Sequence, residues 1–126
     1  MIDHVSVAVR DLAAAADFYE AVLGALGYTK LDGRAATVGF GKRYSEFWIN
    51  HRPALAAAPD SGVHIALRAP SAAAVEAFHA TALAAGGTSD GAPGLRPQHG
   101  EGYYAAFVRD LDGHRIEAVT FLEGTT

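Results

Sequence analysis

The sequence predicts an α+β fold in which one strand-then-helix unit is used twice. Three observations lead there. Residues 3–9 and 63–69 correspond at an offset of 60, so that His4 falls on His64, Val5 on Ile65, Val7 on Leu67, Asp11 on Ser71, Phe18 on Phe78, Leu23 on Leu83 and Gly27 on Gly87. Self-similarity at a fixed offset marks a repeated structural unit. The opening of each copy alternates apolar and polar residues, the period of a half-buried strand. Each is followed by an alanine-rich stretch whose larger apolar residues recur at helical spacing.

Composition narrows the class. A chain of 126 residues suits one domain made of two modules, residues 1–57 and 58–126, since a unit of about 60 residues buries too little surface to be comfortably stable alone. Hydrophobic residues make up 50% and charged ones 19%, which excludes a disordered chain. The net charge of -4, with ten Lys and Arg that never cluster, gives no footprint for nucleic acid or an anionic membrane, so small-molecule partners are favoured by elimination. Without cysteine, disulfides and thiolate chemistry are excluded, and any metal must sit on His, Asp or Glu. The first ten residues carry their charges in the wrong order for a signal peptide, and no apolar run approaches ~20 residues. A cytoplasmic protein is expected.

In chain order, residues 2–9 place Val5, Val7 and Val9 on one face and His4, Ser6 and Ala8 on the other. Asp11 is placed to cap a helix whose stripe is Leu12, Ala15, Tyr19, Val22 and Leu26, with Asp17 and Glu20 on its solvated face. Turn signals at Asp32-Gly33 and at Gly41-Lys42-Arg43 separate strands over 35–40 and 45–50; in the second, Phe47 and Ile49 oppose Glu46, Trp48 and Asn50. Residues 51–61 read as the linker between modules. The second module opens with Val63, Ile65 and Leu67 opposite His64, Ala66 and Arg68. Ser71 caps a helix with the stripe Val75, Phe78, Ala82 and, one position round, Leu83. Residues 88–102, with four glycines and two prolines, read as a long loop, of the kind that often touches ligand. A hairpin follows over 103–110 and 115–121 around Asp112-Gly113, and its return strand carries Glu117 among apolar neighbours. A carboxylate there needs a partner or a proton.

The stretches IDHVSVAVRDLAAAADFYEAVLGALGY, VHIALRAPS and AFVRDLDGHRIEAV, in this order, resemble the vicinal oxygen chelate superfamily, the group of glyoxalase I, extradiol dioxygenases and the fosfomycin- and bleomycin-resistance proteins. The resemblance spans nearly the whole chain. It implies two βαβββ modules whose strands form a curled mixed sheet, an open cup with helices on its convex side. It also implies that His4, His64 and Glu117 hold a divalent metal (Fe, Mn, Ni or Zn), and that two copies pair as a homodimer. A two-His, one-carboxylate set leaves positions open for a substrate that chelates through adjacent oxygens.

Some members use a fourth ligand on the last strand of the first module, and here either Glu46 or Trp48 can take that place. Both lie on one strand face, so alternation leaves the choice open. Glu46 would serve as ligand or base; Trp48 would be a pocket wall. For Glu46 the plainer reading is a charge at a strand end. Trp48, His99, Tyr103 and Tyr104 are further candidates for the pocket, against a plainer role in the core, and one of the two adjacent tyrosines must face the cup. Arg96 and Arg115 can anchor an acidic group or simply solvate a loop and an edge. His51, His79 and His114 read as surface residues. The expected function is a metal-dependent enzyme of isomerase, lyase or ring-cleaving dioxygenase type. The alternative is a metal-free binding or drug-resistance protein that sequesters an aromatic ligand.

Overall fold

The computed structural model describes residues 1–56 and 60–123. The expected module boundary at 57/58 and part of the 51–61 linker therefore lie outside the described residues. The α+β fold of two βαβββ modules is present. Module one comprises β1 (Val5–Val9), α1 (Leu12–Gly24), β2 (Thr29–Gly33), β3 (Thr37–Gly41) and β4 (Ser45–His51). Module two comprises β5 (His64–Arg68), α2 (Ala72–Ala84), β6 (Thr88–Leu95), β7 (Tyr103–Arg109) and β8 (Arg115–Phe121). The strands form two four-stranded sheets in the orders β1-β4-β3-β2 and β5-β8-β7-β6. In each, the first and last strands of the module pair in parallel and the others are antiparallel.

Both helices start as their capping residues dictate. The Asp11 carboxylate accepts from the Ala14 N–H at 3.0 Å and the Ser71 hydroxyl from the Ala74 N–H at 3.1 Å, each satisfying a donor left free in the first helical turn. Their buried stripes are Ala15, Phe18, Tyr19, Val22 and Leu23 in α1, and Ala74, Val75, Phe78 and Ala82 in α2. Leu83 departs from expectation. It is 42% exposed, whereas Leu23 is buried, because Val75, Phe78 and Ala82 already complete the stripe and position 83 lies a further ~100° round the helix.

The stretch expected to be a loop over 88–102 holds a strand. β6 pairs with β7 from Thr88↔Arg109 to Leu95↔Tyr104, with register shifts at Gly91 and Gly94. A Cβ on Gly91 would stand 3.0 Å from Cδ2 of Phe107, so this glycine marks a close approach within a bulged strand. Only residues 96–102 connect β6 to β7, by way of a short 3-10 turn at Pro97–His99.

One apolar core serves both modules. Val9, Phe18, Tyr19, Phe47 and Ile49 join Val75, Phe78, Val108, Ile116 and Ala118 in a single cluster. The modules thus meet through their helix-covered faces, which share the burial that neither could supply alone. By alternation, the opposite faces, bearing Trp48 in one sheet and His64 and Glu117 in the other, turn away from that core.

A polar seam crosses the same junction. The Arg10 guanidinium meets Asp112 at 3.2 Å, and the Arg10 N–H donates to the same carboxylate oxygen at 3.0 Å. The Tyr19 hydroxyl donates to Asp110, whose other oxygen accepts the N–H groups of Asp112 and His114 at 2.9 and 2.8 Å. His114 Nε2 donates to the Ala8 carbonyl at 2.6 Å. His114 is therefore an inter-module tie and not the surface residue its sequence context implied. Burial pushes the Tyr19 phenol well above its ordinary value, and the Asp110 charge adds to this. Burial also raises the Asp110 carboxyl, against the lowering effect of its hydrogen bonds.

Candidate functional site

His64 opens β5 and Glu117 lies two residues beyond the partner of His64 on the parallel neighbour β8, through the pairs His64↔Arg115 and Ala66↔Glu117. In a parallel pair, neighbouring residues on one face lie close enough for long side chains to meet diagonally. His64 Nε2 and Glu117 Oε1 are 3.2 Å apart. The carboxylate is only 2% exposed, although it sits on the face away from the core. Phe107 lies opposite it on β7, and the Tyr103 hydroxyl donates to Oε2. Oε2 is therefore hydrogen-bonded and Oε1 faces the imidazole, which answers in part the cost of placing a carboxylate in an apolar strand. Burial, with the bond to Glu117 next, pushes the Tyr103 hydroxyl up to about 12.

An aromatic wall surrounds this pair. The Phe107 ring stands 6.5 Å from His64. Phe121 packs edge-on against Tyr103 at 5.4 Å, and the His99 ring, carried by the 3-10 turn, lies 5.3 Å from that of Tyr103. Arg68, on the His64 face of β5, lays its guanidinium 5.0 Å over the Phe121 ring. The alternation of β5 placed Arg68 beside the site, yet no motif singled it out.

Several expected pocket residues are employed elsewhere. Tyr104 faces α2 and donates to Glu76 at 2.9 Å, because adjacent strand residues point to opposite faces and Tyr103 takes the other one. Arg96 donates to the carbonyls of Ala92 and Gly94 at 2.6 and 2.9 Å and lies 5.4 Å over Phe107, so it ties the bulged β6 together. Arg115 pairs with Asp60 at 3.0 Å and with Asp90 at 3.7 Å.

In module one, the pairs Ser6↔Trp48 and Val5↔Phe47 place Trp48 two residues beyond the point opposite His4, as Glu117 stands relative to His64. Glu46 corresponds by the same register to Arg115. Trp48 is half-buried and packs over Gly39, where a Cβ would come within 2.9 Å of its ring; Arg34 lies 5.5 Å over the ring. Glu46 is exposed and borders a cavity of about 140 Å³ with Tyr28 and Arg68.

The donor chemistry of module two fits a metal ion in part. Two atoms each about 2.1 Å from one ion stand about 3.0 to 3.4 Å apart for angles between a right angle and the tetrahedral value. The His64 to Glu117 distance lies in that range. His4, however, is bonded to Asp3 at 2.7 Å, and among the described residues no three His, Asp or Glu side chains gather to hold an ion. The convergence of His4 with His64 and Glu117 does not occur within one chain, because the modules meet by their helix faces and turn their histidine faces outward. No helix among the described residues is long and apolar enough to cross a membrane.

A model of the Glyoxalase/Bleomycin resistance protein/Dioxygenase superfamily matches residues 1–118. The chain is similar to a glyoxalase/bleomycin resistance protein from Albidiferax ferrireducens, at 33% identity over 92% of this chain and 95% of the other, with a TM-score of 0.82. It shares its fold with a glyoxalase/bleomycin resistance protein/dioxygenase family enzyme from Burkholderia phytofirmans (19% identity, 96% and 98% covered, TM-score 0.74). The same holds for a genomically encoded fosfomycin resistance protein from Listeria monocytogenes (17% identity, 95% and 92% covered, TM-score 0.70). No curated protein matches the chain.

Proposed function

Because the chain belongs to the Glyoxalase/Bleomycin resistance protein/Dioxygenase superfamily, we propose that it is a metal-dependent enzyme acting on a small substrate that chelates through adjacent oxygens. The carrying observation is the convergence of His64 Nε2 and Glu117 Oε1 at the spacing of two ligands of one ion. His64 and Glu117 would hold a divalent ion (Fe, Mn, Ni or Zn), with His4 of a second copy as the third ligand. Such an ion polarises the oxygens of a bound diol, enediolate or catecholate and leaves positions open for both.

A homodimer is supported by the way the two modules divide these residues. Each chain has one module presenting His4 and Trp48 and another presenting His64 and Glu117, on faces turned away from the shared core. Setting module one of one copy against module two of the other closes two cups, each with one full ligand set, in the closed two-fold symmetry usual for small assemblies. Trp48 then serves as a wall of the cup, as do Tyr103 and His99. Glu46, one residue before the Val5↔Phe47 pair, would serve as a base. The reaction is of isomerase or lyase type, or ring-cleaving dioxygenation.

A second reading is a cup that sequesters an aromatic ligand without metal, favoured by the wall of Phe107, Tyr103 and Phe121. Metal analysis of protein purified without chelator separates the two. Stoichiometric metal in the native protein, lost in His64→Ala and in Glu117→Ala, supports the enzyme. No bound metal, together with no activity gained on adding Fe, Mn, Ni or Zn, leaves the sequestering cup.

A further inference from the structure

We infer that Arg68 anchors the negatively charged end of the ligand, which is therefore an organic carboxylate or phosphate on an apolar body. The inference rests on the reading that ligand binds on the face of β5 and β8 bearing His64 and Glu117, and it involves no metal. It names the charge of the ligand for the enzyme and for the sequestering cup alike. By alternation Arg68 lies on that face, with Ala66 between it and His64. Its partner across the ladder is Val119, and Phe121 stands two residues further along β8. Long side chains meet on this diagonal, and the Arg68 guanidinium lies 5.0 Å over the Phe121 ring.

Other arginines of the chain are already engaged. Arg10, Arg109 and Arg115 each pair with an aspartate, and Arg96 donates to backbone carbonyls. Among the described residues the Arg68 side chain makes no ion pair and no hydrogen bond, not even with Glu46, which borders the same cavity of about 140 Å³. Phe121 covers one flat side of the guanidinium and leaves its N–H edge available. That fork matches two oxygens of a carboxylate or phosphate. Stacking already restricts the side chain, so less rotamer freedom is lost when an anion binds. The end of β5 is held as well, since the Tyr28 hydroxyl donates to the Arg68 carbonyl at 3.2 Å.

The rest of the face sets the body of the ligand. Phe121 packs against Tyr103, and the Tyr103 hydroxyl reaches Glu117, so an aromatic wall runs from Arg68 back to the His64–Glu117 pair. His64 opens β5 and Arg68 closes it, a span of about 13 Å at the rise of a strand. Ala66, with only a methyl group, leaves the floor between them clear. A ligand that reaches from one to the other carries its charge at one end and lays a ring or chain along the wall.

The test titrates the full-length protein, as purified, by calorimetry with phenylacetate, with phenyl phosphate and with the uncharged phenylacetamide. The wild type is expected to bind at least one of the anions about tenfold more tightly than the amide, the scale of a hydrogen bond to a charged group. Which anion is favoured tells a carboxylate ligand from a phosphate. Arg68→Met keeps a chain against Phe121 and is expected to bind anions and amide alike. Arg68→Lys keeps the charge without the fork and is expected to retain only part of the preference. Because each ratio is taken within one protein, a partly unfolded variant still yields it. A wild type that binds none of the probes, or binds anions and amide equally, overturns the inference, as does a preference that survives Arg68→Met. Bound metal with no anion preference would remove this inference alone, and anion preference with no bound metal would remove the metal reading alone.

Discussion

Trp48 and Glu117 hold the same place in the two modules, each paired across a parallel ladder with the residue two beyond a strand-opening histidine: Ser6 in the first case and Ala66 in the second. The repeat therefore supplies a carboxylate in one half and an indole in the other, and Glu46 corresponds to Arg115. Under the proposed metal site, that register gives a three-ligand set with Trp48 as a wall, and the protein's single tryptophan would report on it. Loading with Ni²⁺ is expected to quench the fluorescence of Trp48, and His64→Ala is expected to abolish the quenching. Fluorescence titration measures this directly, and quenching that survives His64→Ala would place the ion elsewhere.

Gly39 maintains the seat of that indole. A Cβ there would stand 2.9 Å from the Trp48 ring and also crowd Ser45. Gly39→Ala is expected to cost about 1–3 kcal/mol, the usual range for forcing bulk into a packed site, and to shift the Trp48 emission as the ring is displaced. Denaturant unfolding with the emission maximum of the native state checks both parts. An unchanged stability would mean that the ring moves aside freely.

The seam between the modules predicts a pH dependence. Burial raises the Asp110 carboxyl above 3.8, so its protonated form is favoured in the folded state. The stability it contributes is fully present below the unfolded value and is lost as pH rises from there through the folded value. Asp110→Asn keeps an oxygen for the N–H groups of Asp112 and His114 and places an amide against Tyr19. The variant is expected to lose less stability than the wild type as pH rises from 3.8, by denaturant titration across that range. Parallel curves for the two proteins would contradict this role.

Much of this arrangement was legible in the chain. The period-2 faces put His64 and Glu117 on one side of their strands, and the two caps, Asp11 and Ser71, opened their helices as expected. What escaped reading depends on long-range geometry. Alternation cannot separate Glu46 from Trp48, which share a face; that Trp48 pairs with Ser6 is visible only in the ladder with β1. The glycines of β6 suggest a loop until the Phe107 ring that they accommodate is in view. Tyr19 and Asp110 are 91 residues apart, and no local pattern links them. Likewise, an isolated sequence does not reveal that the modules join by their helix faces, which is what separates His4 from its expected partners.

Removing the Tyr19 hydroxyl should expose the weight of that seam. Tyr19→Phe leaves one oxygen of the buried Asp110 without its donor, and an unmet buried acceptor costs about 1–3 kcal/mol. The variant is expected to unfold at lower denaturant while keeping its metal content, since the seam lies on the opposite side of the sheets from His64. Loss of metal in step with stability would link the seam to the site.

Whether the proposed site is assembled from two chains can be read by subunit complementation. His4→Ala and Glu117→Gln homodimers each lack a ligand in both cups and are expected to bind no stoichiometric metal. In a mixed dimer refolded from the two, one cup collects both substitutions and the other collects none. Metal is expected to return at one ion per mixed dimer. If the mixture stays empty while both variants remain folded and paired, the ligands come from within one chain or the site does not exist.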